Sequence, residues 1–420
     1  MPTVSGVVTD KTGNSVPWST SWTLSTEEDE MTAFLDVDRQ FGGGWAGVQA
    51  AVTEAQASGG PSAVVLLGKG PYTFTSSINI TRPITIMGGG IRTRLRHGGT
   101  FAGPAFRCEN LKRSGQWEST AGSGPIQSYD ESVDDGGMTF RDFAIVDDNR
   151  SVANRQGIYC IDVDDMLMDN VQFGFLTGTA LKLGADDADA NISGVSSGRI
   201  RESDFRRIRI YRCGSGAPSG TPDVPAMILQ NGNADGDGSN QNFFHQLRFV
   251  YNEGRMLIRG AGFGGNSLRR TIFRDTQLHA LADNSNWSPS KYFPFDLVTL
   301  EGSVRETVFD GVTINGTKAG TFGWRMKGHA LNGETPKRLT LRNVNVVNMA
   351  GGIVRVDKGD TVHLDGTGLG SAGESVLSIA ADSGFSTGSV EEFGINNPAG
   401  KSDVGAGTVR AFHHGLSVTP

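Results

Sequence analysis

An all-β fold, a right-handed parallel β-helix with a short N-terminal capping α-helix, is the architecture that this 420-residue sequence predicts. Three observations carry the expectation. A six-residue phrase, apolar-polar-polar-apolar-polar-apolar, recurs eight times between Phe140 and Leu369. Successive copies start roughly 23 to 39 residues apart, the period of stacked solenoid rungs. A second short apolar segment accompanies most copies, and the 3.6-residue period that a helical repeat needs is missing.

The copies are Phe140-Arg-Asp-Phe-Ala-Ile145, Met168-Asp-Asn-Val-Gln-Phe173, Phe205-Arg-Arg-Ile-Arg-Ile210, Phe244-His-Gln-Leu-Arg-Phe249, Phe273-Arg-Asp-Thr-Gln-Leu278, Phe309-Asp-Gly-Val-Thr-Ile314, Leu341-Arg-Asn-Val-Asn-Val346 and Leu364-Asp-Gly-Thr-Gly-Leu369. An unbroken strand would alternate inward and outward residues with period two. Here the inward positions are the first, fourth and sixth, so the register breaks at a corner. The second polar residue is Asp142, Asn170, Asp275, Gly311, Asn343 or Gly366 in six copies, residue types that enter the left-handed region at least cost. Strand, tight two-residue corner, strand is the simplest reading. Arg207 and Gln246 hold the corner in the other two copies and predict distortion there. Stacking equivalent positions gives an interior aromatic ladder of Phe140, Phe205, Phe244, Phe273 and Phe309, with Met168, Leu341 and Leu364 as variants.

The start of the chain is different. Val4 to Pro17 reads as a small hairpin with a turn at Thr12–Asn14, followed by Trp18, Trp22 and the acidic run Glu27-Glu-Asp-Glu30. So little apolar content does not fold alone, and the piece is expected to lean on another chain or subunit. Over 44–57, Val48, Ala51, Val52 and Ala55 fall at i, i+3, i+4 and i+7, one face of an amphipathic helix that Gly59 stops. Short apolar segments follow: Ala63-Val-Val-Leu-Leu67, Gly70-Pro-Tyr-Thr-Phe74, Ile78-Asn-Ile80 and Ile84-Thr-Ile-Met-Gly88, running into Gly89 and Gly90.

That succession of helix, strands and glycine run resembles the entry to the pectate-lyase-like β-helix superfamily, of the bacteriophage tailspike type. The resemblance extends over about residues 44–395. It implies a helix that caps the open end of the first coil. It also implies a virion spike, released by host lysis, that forms a homotrimer and binds a host surface glycan, which many such spikes cleave. Residues 1–42 would then be the attachment or oligomer-contact segment that meets other virion proteins, 43–395 the coil, and 396–420 a C-terminal tail or closing strand. A non-catalytic β-helical virion protein and a free polysaccharide lyase or glycoside hydrolase are the alternatives. The opening departs from the superfamily's Asp-rich lead, Gly-Gly-Trp-Ala-Gly-Val-Gln-Ala-Ala standing in its place, but the apolar face is kept.

Composition narrows the function classes. Glycine, 59 residues without a Gly-X-Y period, serves corners and loops rather than collagen. A net charge of −7 argues against a general nucleic-acid binder. No stretch of 18 apolar residues predicts a membrane span, and no basic-then-apolar leader predicts a Sec-type signal. Cys108, Cys160 and Cys213 are too scattered for a metal site and read as buried apolar residues. No cofactor is expected.

Glycosidic cleavage needs two carboxylates about 5 to 9.5 Å apart, and residues i and i+2 on one strand face are about 6.6 Å apart. Asp162 and Asp164, flanking inward Val163, and Glu202 and Asp204, preceding Phe205, are the candidate acid pairs. Arg199, Arg201, Arg206 and Arg209 surround the second pair, and Arg206 and Arg209 are candidate clamps for an acidic sugar. Trp287 and Tyr292 are candidate stacking platforms for a pyranose ring, with Trp117 a weaker one. Asp186, Asp187 and Asp189 lack the spacing of a calcium loop. His245 falls at an outward corner position, and His413 and His414 read as tail composition.

Overall fold

A computed structural model describes residues 3–9, 15–21, 34–58, 63–111, 137–185, 198, 200–215, 224–231, 239–260, 267–280, 295–316, 319–329, 333–347, 349–366, 377–380, 387–393, 403–404 and 409–412. These residues form a parallel β-helix, as the repeated phrase predicts. One rung shows the plan. Asp204–Arg206 lies on a first face, Arg209–Tyr211 on a second and Met227–Asn231 on a third. Each pairs in parallel with its counterpart in the next rung, in the registers Asp204↔Phe243, Arg209↔Arg248 and Met227↔Met256.

The inward positions of the phrase are the core. Phe140, Phe143 and Ile145 are fully buried, and so are Phe205, Phe244, Phe273 and Phe309. The last four stack with centroid separations of 4.4, 4.6 and 4.4 Å and interplanar angles of 8°, 14° and 5°. Parallel strands are spaced about 4.8 Å apart, so the rung repeat sets the ring spacing, and each pair adds about 0.5–1.5 kcal/mol beyond area burial. Met168 separates Phe140 from this stack in the register, so Phe140 packs on Phe106 at 5.5 Å instead. Leu364 of the eighth copy is buried in register with Leu341, whereas Thr367 and Leu369 lie outside the described residues.

The corners behave more uniformly than the residue types suggest. Asp142, Asn170, Arg207, Gln246, Asp275, Gly311 and Asn343 have φ of 60°, 53°, 54°, 58°, 51°, 69° and 49°. Arg207 and Gln246 are therefore ordinary corners, and the distortion expected of them is absent. The reason is a hydrogen bond. The Arg207 amide donates to the His245 carbonyl oxygen at 2.8 Å, Gln246 to Arg274 at 2.9 Å and Asp275 to Asp310 at 2.9 Å. A left-handed residue costs about 1–2 kcal/mol, and a peptide hydrogen bond to the next rung, worth about 0.5–1.5 kcal/mol, offsets much of that.

The helix Gly44–Ser58 closes the first rung, one residue longer than expected. Val48, Ala51, Val52 and Ala55 all face inward and are buried. Trp45 anchors it, its indole N–H donating to the Ser76 carbonyl oxygen at 3.0 Å and its ring 5.2 Å from that of Phe74. The described coil opens with Phe34–Asp36 in parallel with Val64–Leu66, and Val409–Phe412 pairs in parallel with Thr387–Phe393 at the far end. Thr3–Thr9 and Ser15–Ser21 form the antiparallel hairpin read from the sequence, its turn and Gly59 lying outside the described residues. Cys108, Cys160 and Cys213 are free and buried, the apolar role expected of them. Among the described residues no helix is long and apolar enough to cross a membrane.

One polar knot is built into this apolar coil. Arg155, 2% exposed, donates to Asp147 Oδ1 at 2.5 Å and to the Gly99 carbonyl oxygen. Nearby, His97 Nε2 donates to the Gln156 carbonyl oxygen at 2.8 Å. Burial above all pushes the His97 pKa down to about 4; the Gln156 hydrogen bond opposes the shift and the Arg155 charge adds to it. In the unfolded chain His97 titrates near 6.5, so as pH falls below about 6.5 the unfolded state takes the proton first. Stability is then lost progressively until about pH 4, by at most about 3 kcal/mol. A His97→Gln variant is expected to flatten the denaturation midpoint over that window; an unchanged slope would contradict the assignment.

Candidate functional site

A second stack of left-handed residues turns the chain from the third face back to the first. Asp165, Glu202, Gln241, Arg270 and Glu306 have φ of 55°, 51°, 54°, 51° and 57°. Each stands three positions before the phrase's first residue, and Ser203, Asn242, Thr271 and Thr307 follow as fully buried small polar residues. That fixed offset is a sequence signal the repeat analysis passed over. Along this corner runs a groove of about 320 Å³ lined by Glu202, Asn240, Gln241, Arg269, Arg270, Arg305 and Glu306. Acid and base alternate in it, with Arg201 3.7 Å from Glu202 and Arg270 3.4 Å from Glu306.

A second groove, about 390 Å³, lies over the tight corner between the first and second faces. Asn170, Arg207, Gln246 and Asp275 supply its corner side, and Gln172, Arg209, Arg248 and Gln277 its strand side. The strand side is one ladder, in the registers Gln172↔Arg209, Arg209↔Arg248 and Arg248↔Gln277. Arg207 is turned away to Asp169, donating from Nε at 2.8 Å and from its terminal nitrogen as well. Arg209 and Arg248 are exposed and have no carboxylate partner among the described residues; the Arg209 guanidinium lies 5.3 Å from the Tyr211 ring centroid.

The structure separates the acids that the sequence reading grouped. Glu202 occupies the return corner and Asp204 the first face, with buried Ser203 between them, so the strand spacing assumed for the pair does not apply. Asp204 accepts two hydrogen bonds from Arg206 and lies 3.9 Å from His245 Nε2. Side-chain hydrogen bonding and charge from Asp204 hold the Arg206 pKa up. Arg206 is thus tied to its neighbour, while Arg209 is in the other groove. Along its own groove, Glu202 is three rungs from Glu306, roughly 14 Å at the strand spacing and beyond the span of a glycosidase pair.

Asp164 was expected to face solvent and is only 7% exposed. The outer side of its strand is covered: Tyr159 and Ile161 pack with Ala185 in a small cluster apart from the main core. Asp162 shares the strand Ile158–Asp164, and its side chain is not among those described. Trp287, Tyr292, Trp117, Arg199, Asp186, Asp187, Asp189, His413 and His414 lie outside the described residues.

The third face carries a charged network that sequence reasoning missed. Arg325 bridges Asp296 at 3.2 Å and Asp357 at 2.5 Å, and Arg355 holds the other Asp357 oxygen at 2.7 Å. Burial raises the Asp357 pKa, but hydrogen bonds from Arg355 and Arg325 outweigh it and hold the carboxyl below the usual range. Burial first, then the Arg325 and Arg255 charges, lower the Lys327 pKa. These residues are spread over 296–357, so only the coil's register brings them together. No group of three or more potential ligands for a metal ion occurs among the described residues.

No protein-family model and no curated protein matches the sequence. Solved structures do. PfbA, a surface adhesin of Streptococcus pneumoniae, matches with a TM-score of 0.52 at 10% identity, covering 90% of this chain and 90% of that one. The catalytic domain of a GH87 alpha-1,3-glucanase in complex with nigerose gives 0.48 at 12% identity, over 90% of this chain and 66% of that one. The tailspike gp61 of Pseudomonas phage phi297 gives 0.36 at 11% identity, over 83% and 73%. At these identities the likeness is one of fold, and the fold hosts more than one activity.

Proposed function

We propose that this chain is the β-helical body of a tailspike-like virion protein, a homotrimer that binds a host surface polysaccharide along its lateral surface. The observation that carries the reading is the open groove over the tight corner. Its lining of three glutamines, one asparagine, three arginines and one aspartate presents amide and guanidinium donors over four successive rungs. Such a surface offers hydrogen bonds to hydroxyl groups at a regular axial spacing and almost no apolar wall, which suits an extended polar polymer better than a small apolar ligand. The virion setting and the trimer rest on the sequence resemblance that begins at residues 44–95.

Binding without cleavage is the form of the proposal that the described acids support. Asp204 and Asp357 are held by arginines, and Glu202 and Glu306 are too far apart to act together. The test is retardation of the whole protein in native gels cast with surface polysaccharides of candidate hosts, with an assay for new reducing ends or unsaturated uronates alongside. Retardation with no new ends is expected. New ends from a bound polysaccharide would make the protein a depolymerase, and no retardation by any would refute the reading. Light scattering on the same sample is expected to give three times the 44.6 kDa chain mass.

A further inference from the structure

We infer that the groove over the tight corner selects an anionic polysaccharide, and that Arg209 and Arg248 together hold its carboxylate or sulfate groups. The inference rests on the polysaccharide-binding reading and adds the chemical class of the polymer. Its first support is an electrostatic cost. Arg209 and Arg248 occupy directly opposed positions in adjacent rungs, with Cα atoms in register. Like charges placed so are destabilising, and one rung is only about 4.8 Å. Elsewhere the same ladder is neutral: Gln172 precedes the pair, and Gln277, Thr313 and Asn345 follow it. The two charges are therefore concentrated at the middle of the groove, where an anion lying between them relieves the repulsion.

The second support is how the neighbouring arginines are used. Arg141, Arg206 and Arg207 each sit against a carboxylate, Asp142, Asp204 and Asp169 respectively. Arg209 and Arg248 do not, although Asp275 lines the same groove. The chain as a whole carries −7, so a groove with three guanidiniums and one carboxylate runs against its overall charge. Arginine is suited to the task, since its planar fork matches a carboxylate or sulfate through two hydrogen bonds. Tyr211 beneath Arg209, at 5.3 Å, holds that guanidinium toward the groove.

The experiment compares the whole protein with Arg209→Gln, Arg248→Gln and the double variant in gels cast with polygalacturonate, dextran sulfate or neutral dextran. Both side chains are exposed, so the variants are expected to keep the denaturation midpoint of the parent. The parent is expected to be retarded by one or both polyanions and not by dextran. Each single variant should bind about tenfold more weakly, and added salt should weaken the parent. Retardation by polygalacturonate alone identifies a carboxylate polymer, and by dextran sulfate alone a sulfated one. Undiminished retardation of the double variant by the polyanion that binds the parent would overturn the inference. So would binding only to neutral polymers, which leaves the broader reading standing. Failure to bind any of these or the host polysaccharides sinks both.

Discussion

Phe244→Ala is expected to lower stability by about 3–5 kcal/mol, among the largest effects available in this chain. Phe244 is fully buried between Phe205, 4.4 Å away, and Phe273, 4.6 Å away. Backbone hydrogen bonds hold the rungs at a fixed spacing, so the coil cannot collapse into the space the ring leaves. Phe244→Leu should cost far less, about 1.5 kcal/mol or under, because Leu341 already fills the same ladder position three rungs on. The neighbouring Phe243 points outward and is half-buried, and Phe243→Ala is expected to change stability by about 1 kcal/mol or less. Chemical denaturation midpoints of the three variants check the order; equal costs at 243 and 244 would mean that the inward register is wrong.

Arg155→Met is expected to cost about 3–5 kcal/mol, since it leaves the Asp147 carboxylate buried without its counter-charge. Both side chains are almost wholly out of solvent, at 2% and 0% exposure. The double variant Arg155→Met with Asp147→Leu is expected to recover most of that loss, because a buried ion pair gains little over apolar residues of similar volume. A double-mutant cycle read by denaturation separates the two cases. Additive losses in the double variant would show that Arg155 acts through its bonds to the Gly99 and Asn149 carbonyl oxygens instead.

The scaffold was readable because its rules are periodic. The first, fourth and sixth positions of the phrase had to face inward, and Phe205, Ile208 and Ile210 do. Residue type was a poorer guide to corner geometry: Arg207 and Gln246 look unsuited to positive φ, but hydrogen bonds from the next rung place them there. The candidate site was harder to read for a related reason. Grouping Glu202 with Asp204 assumed a continuous strand, whereas a corner at residue 202 sends the two carboxylates to different surfaces. The pairing of Arg209 with Arg248 spans 39 residues of sequence and exists only through register. Side chains that converge across rungs leave no local motif, and the network of Asp296, Arg325 and Asp357 is hidden in the same way.

The central claim is that a polysaccharide lies against the groove over the tight corner, and amide hydrogen exchange with and without a bound host polysaccharide tests it most directly. Peptides spanning 168–174, 205–211, 244–250 and 273–279 carry the groove residues. Slower exchange on binding in these peptides, with peptides of the third face unchanged, is the result predicted. Protection confined to the third face, around Arg325 and Asp357, would contradict it and move the binding surface to the other side of the coil.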